Sequence, residues 1–182
     1  AESTVIKAFN NYFGGGMGSL VFQTIRESKA LAYSTYGYYA TPSKKTDKYY
    51  TLAYVGSQAD KFKEAVEAMN ELLNTMPELP ANLELAKQQI KQEIETERIT
   101  QDGIIYYYLH DQRMGLKEDI RKQIYQNIDN ITMKDIKAFH DKYLSNKPYT
   151  YVILASEKKL SEDELKKIGD FKKLSLKELF GY

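Results

Sequence analysis

Residues Gly14-Gly15-Gly16-Met17-Gly18 place four glycines in five positions, and no helix or strand runs through such a stretch. The chain must therefore stop and re-aim here. On one side, Val5, Ile6, Phe9 and Phe13 recur at helical spacing, which predicts a helix over Ser3–Phe13. On the other, Leu20, Val21 and Ile25 predict a second helix from about Met17 or Gly18 to Lys29. The run is not a nucleotide loop. It lacks the G-K-[ST] ending of a phosphate-binding loop, no strand precedes it, and it is not G-x-G-x-x-G. Gly16-Met17-Gly18-Ser19 also has the wrong spacing for a serine-nucleophile elbow.

Beyond the second helix, Leu31–Thr41 and Lys48–Ser57 are rich in Tyr and β-formers. Thr41-Pro42-Ser43-Lys44-Lys45-Thr46-Asp47 between them is turn chemistry, so the pair reads as an antiparallel hairpin. Phe62, Ala65, Val66, Met69, Leu72, Leu73 and Met76 give Asp60–Met76 a clean apolar stripe, and Pro77 ends it. Pro80 suits the first turn of a longer helix reaching about Thr100, with a break expected at Gln101-Asp102-Gly103. Helices are expected over Ile104–Met114 and Lys117–Gln126. Another runs from an N-cap at Thr132 to Leu144, with Asp135 completing a weak capping-box variant. Tyr149–Ala155 is expected as a final strand, followed by a short helix Glu162–Ile168. The Lys-rich stretch from Lys158 to Lys177, interleaved with Glu and Asp, reads as a solvated helical face.

This order predicts an α+β fold: a mainly antiparallel sheet with helices packed on one face. The 182 residues are expected to form a single domain. Three strands make a thin sheet, so the first strands of the domain are expected to precede residue 1, and the chain to be a fragment of a longer one.

Composition narrows the chemistry. With 26 basic and 25 acidic residues, there is no global electrostatic reason to expect nucleic acid as a partner. No apolar run approaches the ~18 residues of a membrane span. Absence of cysteine excludes disulfides and thiolate sites and fits cytoplasm or periplasm equally. The two histidines, His110 and His140, each stand beside Asp in helical runs. Neither belongs to H-E-x-x-H or H-x-x-E-H, and both read as ordinary surface residues. No metal site and no cofactor site is expected in this segment.

The stretch from Phe13 to Ser34, FGGGMGSLVFQTIRESKALAYS, resembles the hallmark of the pitrilysin/insulinase family of inverted-zincin metallopeptidases. Those proteins carry a glycine-rich turn, a helix reading small-x-L-F-x-x-[IL]-R-[ET], and a loop ending [GA]-L-[AG]-Y. The downstream rhythm of elements is similar over nearly the whole chain. The resemblance implies an enzyme of two homologous halves closing around a peptide. The N-terminal half holds zinc through H-x-x-E-H; the C-terminal half lacks that motif and contributes an Arg and a Tyr. Here they match Arg26 and Tyr33, seven residues apart. A truncated catalytic half is the other option, since residues 1–13 are too short to hold the zinc motif; the intact Arg and Tyr favour the C-terminal half.

What the resemblance implies is then a substrate-binding, non-zinc-binding domain of a zinc metalloendopeptidase, inactive alone. Its partners would be a zinc-bearing catalytic half, on the same chain or a separate subunit, and a peptide substrate. Arg26 would anchor backbone carbonyls, Tyr33 would donate to the oxyanion of an attacked peptide carbonyl, and Gly14, Gly15, Gly16 and Gly18 would form a substrate-facing loop. The plainer reading pairs Arg26 with a carboxylate such as Glu27 and packs Tyr33 in the sheet. The Tyr-rich strands would line the chamber, meet the partner half, or form an aromatic core. A different class of function also fits: a non-catalytic scaffold or assembly domain derived from this peptidase family.

Overall fold

The computed structural model describes residues 2–181. Helix α1, Glu2–Phe13, is its spine and buries Thr4, Ile6, Ala8, Phe9, Tyr12 and Phe13. Phe9 stacks on Phe13 at 5.1 Å and meets the Phe139 ring at 4.9 Å, offset and tilted pairings that aromatic quadrupoles favour. The Tyr12 hydroxyl donates to the carbonyl of Pro77 at 2.7 Å and accepts from the N–H of Leu79 at 2.9 Å. One phenol thus satisfies both backbone groups of the turn at Pro77.

Strands β1, Ser34–Ala40, and β2, Tyr50–Gly56, pair antiparallel with Tyr36 opposite Tyr54 and Ser34 opposite Gly56. Helices α2, Phe62–Asn74, and α3, Pro80–Thr96, follow. Then come α4, Gln101–Met114, α5, Ile120–Asn127, and α6, Met133–Tyr143. Two short helices end the chain: α7, Glu162–Lys166, and α8, Leu176–Phe180. The core lies where α1 meets α3, α5, α6 and β1, so the architecture is α+β with a two-stranded antiparallel sheet. Among the described residues no helix is long and apolar enough to cross a membrane.

Several expectations are corrected. Tyr149–Ala155 is not a strand, because its backbone makes no hydrogen bond among the described residues. β-propensity needs a neighbouring strand to become sheet. Val152 and Leu154 are accordingly 92% and 102% exposed. The break expected at Gln101-Asp102-Gly103 falls earlier, between Thr96 and Gln101. Thr100 caps α4 by accepting from the N–H of Gly103 at 3.2 Å, a local gain that outweighs the helix-breaking tendency of glycine. Helix α5 starts at Ile120 rather than Lys117, because Asp119 accepts from the N–H of Arg121 at 2.9 Å and caps it there.

His140 is no surface residue. It is 0% exposed, and its Nε2 lies 3.1 Å from the carbonyl of Leu72. The places of Ile136 and Phe139 on the inward face of α6 were legible; that His140 joins them there was not. The expected helix to Lys29 is also unusual in kind. Phe22–Ser28 is a π-helix, and that change of winding shapes the candidate site.

Candidate functional site

The glycine run sets the site's foundation. Gly14 is buried against β1: a Cβ placed on it would fall 2.1 Å from the carbonyl oxygen of Gly37 and 2.4 Å from its nitrogen. Gly15 would meet the carbonyl of Asn10 at 2.8 Å. These two glycines permit backbone to approach backbone. Gly16 and Gly18 face open space, with exposed Met17 at the tip between them. So the four glycines divide into a packed pair and an open pair.

Ser19 then starts the next element. It is buried, its hydroxyl donates to the carbonyl of Gly16 at 2.6 Å, and its carbonyl accepts from the N–H of Gln23 at 3.0 Å. Buried Val21 and Ile25 hold the helix to the core. Its winding then widens: the N–H of Lys29 reaches the carbonyl of Thr24 at 3.1 Å, and the N–H of Leu31 reaches Ile25 at 2.9 Å. The first is the i→i+5 bond of a π-helix, a winding that is rare and frequent at functional sites; the second spans six residues and closes the turn. Ala30 takes φ of +49°, a left-handed conformation that lets the chain turn back.

The Leu31–Ile25 hydrogen bond brings the two limbs of this reversal together. Arg26 stands one residue after one partner and Tyr33 two residues after the other. Arg26 has a side chain 46% exposed, 3.9 Å from Glu27 Oε1, and its guanidinium lies 4.8 Å from the centroid of the Phe22 ring. An exposed pair at that distance contributes little, so the guanidinium stays free to bind. Tyr33 is 67% exposed. Its N–H donates to the carbonyl of Gly56 at 2.9 Å, continuing the hairpin, and its hydroxyl accepts from Gln58 Nε2 at 2.9 Å. Tyr33 therefore does not pack in the sheet. No hydrogen bond joins Arg26 to Tyr33 among the described residues; each is presented separately to solvent.

Sequence reasoning missed Gln58 and Ala30. The signal for Gln58 was the hairpin register, which brings the residues after Gly56 beside those before Ser34. The signal for Ala30 was the [GA] alternative in the motif, since a position tolerating only small residues suits positive φ.

Neither histidine offers a metal site. His110 Nδ1 sits 3.3 Å from Asp111 on exposed α4, and His140 is committed in the core. No group of three potential ligands gathers among the described residues. The residues present do not fit a zinc ion.

A family model described as the peptidase M16 inactive domain matches residues 1–91. The chain belongs to that family. The match takes in α1, the glycine run, the π-helix, the hairpin, α2 and the start of α3. An uncharacterized zinc protease of Bacillus subtilis (strain 168), YmxG, is 36% identical over 85 residues. That match covers 45% of this M16 domain and 20% of the Bacillus protein, so the chain spans a fifth of that relative. Two solved structures share its fold. The peptidase M16 inactive domain from Pseudomonas fluorescens is 17% identical with a TM-score of 0.63, covering 79% of this chain and 34% of that one. A conserved protein from Enterococcus faecalis V583 is 16% identical with a TM-score of 0.64, covering 78% and 33%. This M16 domain is thus an inactive domain of the pitrilysin type.

Proposed function

We propose that this domain grips peptide substrates for a zinc-bearing catalytic half, on the same polypeptide or a separate subunit, and assists peptide-bond hydrolysis inside a closed chamber. The zinc, which supplies the hydrolytic chemistry, belongs to that half. The observation that carries the reading is the presentation of Arg26 and Tyr33: both side chains reach solvent from one backbone reversal closed by the Leu31–Ile25 hydrogen bond. A guanidinium offers donors in a fixed fork, suited to the carbonyls of an extended peptide. The phenol of Tyr33 supplies an O–H for the oxygen that gains charge when a peptide carbonyl is attacked. Gly16 and Gly18, free of side chains at the open tip, let substrate backbone pass close. A closed chamber selects peptides and unfolded segments over folded proteins.

The test is Tyr33→Phe in the enzyme assembled with its zinc-bearing half, assayed on an internally quenched unfolded peptide. Loss of one oxyanion donor is expected to lower kcat about 100-fold. Full turnover by the variant would remove Tyr33 from catalysis. A scaffold role is the alternative, and exposed α4 favours it: Ile104, Ile105, Tyr106, Tyr108 and Leu109 all face solvent, a composition common in association surfaces. A catalytic half without an intact H-x-x-E-H would decide for the scaffold.

A further inference from the structure

We propose that Gln58 is a positioning residue that aims the Tyr33 hydroxyl at the reacting carbonyl. This rests on the catalytic reading of Tyr33. A phenol oxygen has one proton to give and lone pairs to receive. Gln58 Nε2 donates to that oxygen at 2.9 Å, and no other hydrogen bond to the Tyr33 hydroxyl occurs among the described residues. With a lone pair occupied by Gln58, the O–H is left for an external acceptor. Donation into the oxygen also polarises the O–H and strengthens it as a donor.

The backbone around Gln58 is held for this. Gly56, two residues earlier, accepts from the N–H of Tyr33 at 2.9 Å, so the two residues descend from one end of the hairpin ladder. Gln58 then has φ of −70° and ψ of 149° as the N-cap of the short 3-10 turn Ala59–Lys61, yet its side chain makes no cap hydrogen bond. The N–H of Lys61 reaches the carbonyl of Gln58 at 3.0 Å, which fixes the backbone and leaves the amide for Tyr33. The side chain turns away from that turn to the phenol. Tyr33 is exposed, and an exposed ring without a partner would sample several rotamers. The Gln58 contact restricts it before substrate arrives, which reduces the ordering required at the transition state.

The test exchanges the direction of that hydrogen bond. Gln58→Glu replaces the donor by a carboxylate of the same shape, which accepts only and draws the Tyr33 proton to itself. Gln58→Lys keeps a donor. In the assembled enzyme, Gln58→Glu is expected to lower kcat about tenfold with KM little changed, the effect of one misdirected hydrogen bond. Gln58→Lys is expected to retain most of the turnover. In a Tyr33→Phe background, Gln58→Glu is expected to have no further effect, because both act through the same hydroxyl. Three results overturn the proposal: Gln58→Glu with unchanged kcat, Gln58→Lys as impaired as Gln58→Glu, or equal losses from Gln58→Glu in both backgrounds. If instead Tyr33→Phe itself keeps full turnover, the catalytic reading of Tyr33 fails and carries Gln58 with it. Matching thermal denaturation curves for all variants confirm that folding is not the cause.

Discussion

Single residues in the glycine run differ sharply in what they bear. Gly14 touches Gly37 backbone to backbone, so any Cβ there collides with atoms that cannot rotate away. Gly14→Ala is expected to destabilise the domain by about 2–3 kcal/mol, the range of core overpacking. Gly16 faces open space, and Gly16→Ala is expected to leave stability unchanged or raise it by about 0.5 kcal/mol through the unfolded state. Urea denaturation of the two variants separates them. The sequence shows the glycines but not this division, because it depends on Gly37, a residue 23 positions further on. Arg26 and Tyr33 were legible for the opposite reason. Their motif is contiguous, and local winding alone brings them to one reversal. The π-helix was not legible, because an apolar pattern of Val21 and Ile25 fits α and π winding alike over so short a span.

Among the described helices of eight residues or more, α4 is the least secured. It has no buried residue and depends on polar ties. The Tyr107 hydroxyl donates to Glu97, Arg121 pairs with Glu97 at 2.9 Å and with Asp119, and the Arg121 guanidinium lies 4.1 Å from the Tyr107 ring centroid. The Tyr107 hydroxyl and Arg121 hold the Glu97 carboxyl below the usual carboxylate range, and Arg121 does the same to Asp119. Carboxyls with depressed folded values stabilise above their unfolded values and lose that contribution as pH falls through the folded ones. Below about pH 4, α4 is therefore expected to open before the core does. Amide exchange measured at pH 7 and pH 3.5 checks this: protection in α4 should fall well ahead of protection in α1. Sequence periodicity placed most helices within a few residues because their apolar faces are local. Where a boundary hangs on one cap, as with Thr100 for α4 or Asp119 for α5, periodicity gives no signal. Tyr149–Ala155 failed for a related reason. Its composition suits a strand, but strand formation is decided by a neighbour outside the segment.

At the scale of the molecule, that segment is a surface with consequences. Its outward side chains, Val152 and Leu154, are almost wholly in water, and its backbone makes no hydrogen bond among the described residues, the combination that invites strand-to-strand association. The isolated domain is expected to self-associate with rising concentration, and Val152→Lys with Leu154→Lys to suppress this, as read by sedimentation velocity. The hairpin behaves differently. The Asn10 amide donates to the carbonyl of Tyr39 at 3.0 Å and accepts from its N–H at 2.8 Å. One side chain thereby imitates the strand that would otherwise lie beside β1. Gly14 covers Gly37 two residues along the same edge. The two contacts terminate the sheet on that flank as a capped chain end terminates a polymer. Growth by strand addition is left to the β2 flank, so the hairpin can be lengthened from one side and cannot seed a fibre that needs both.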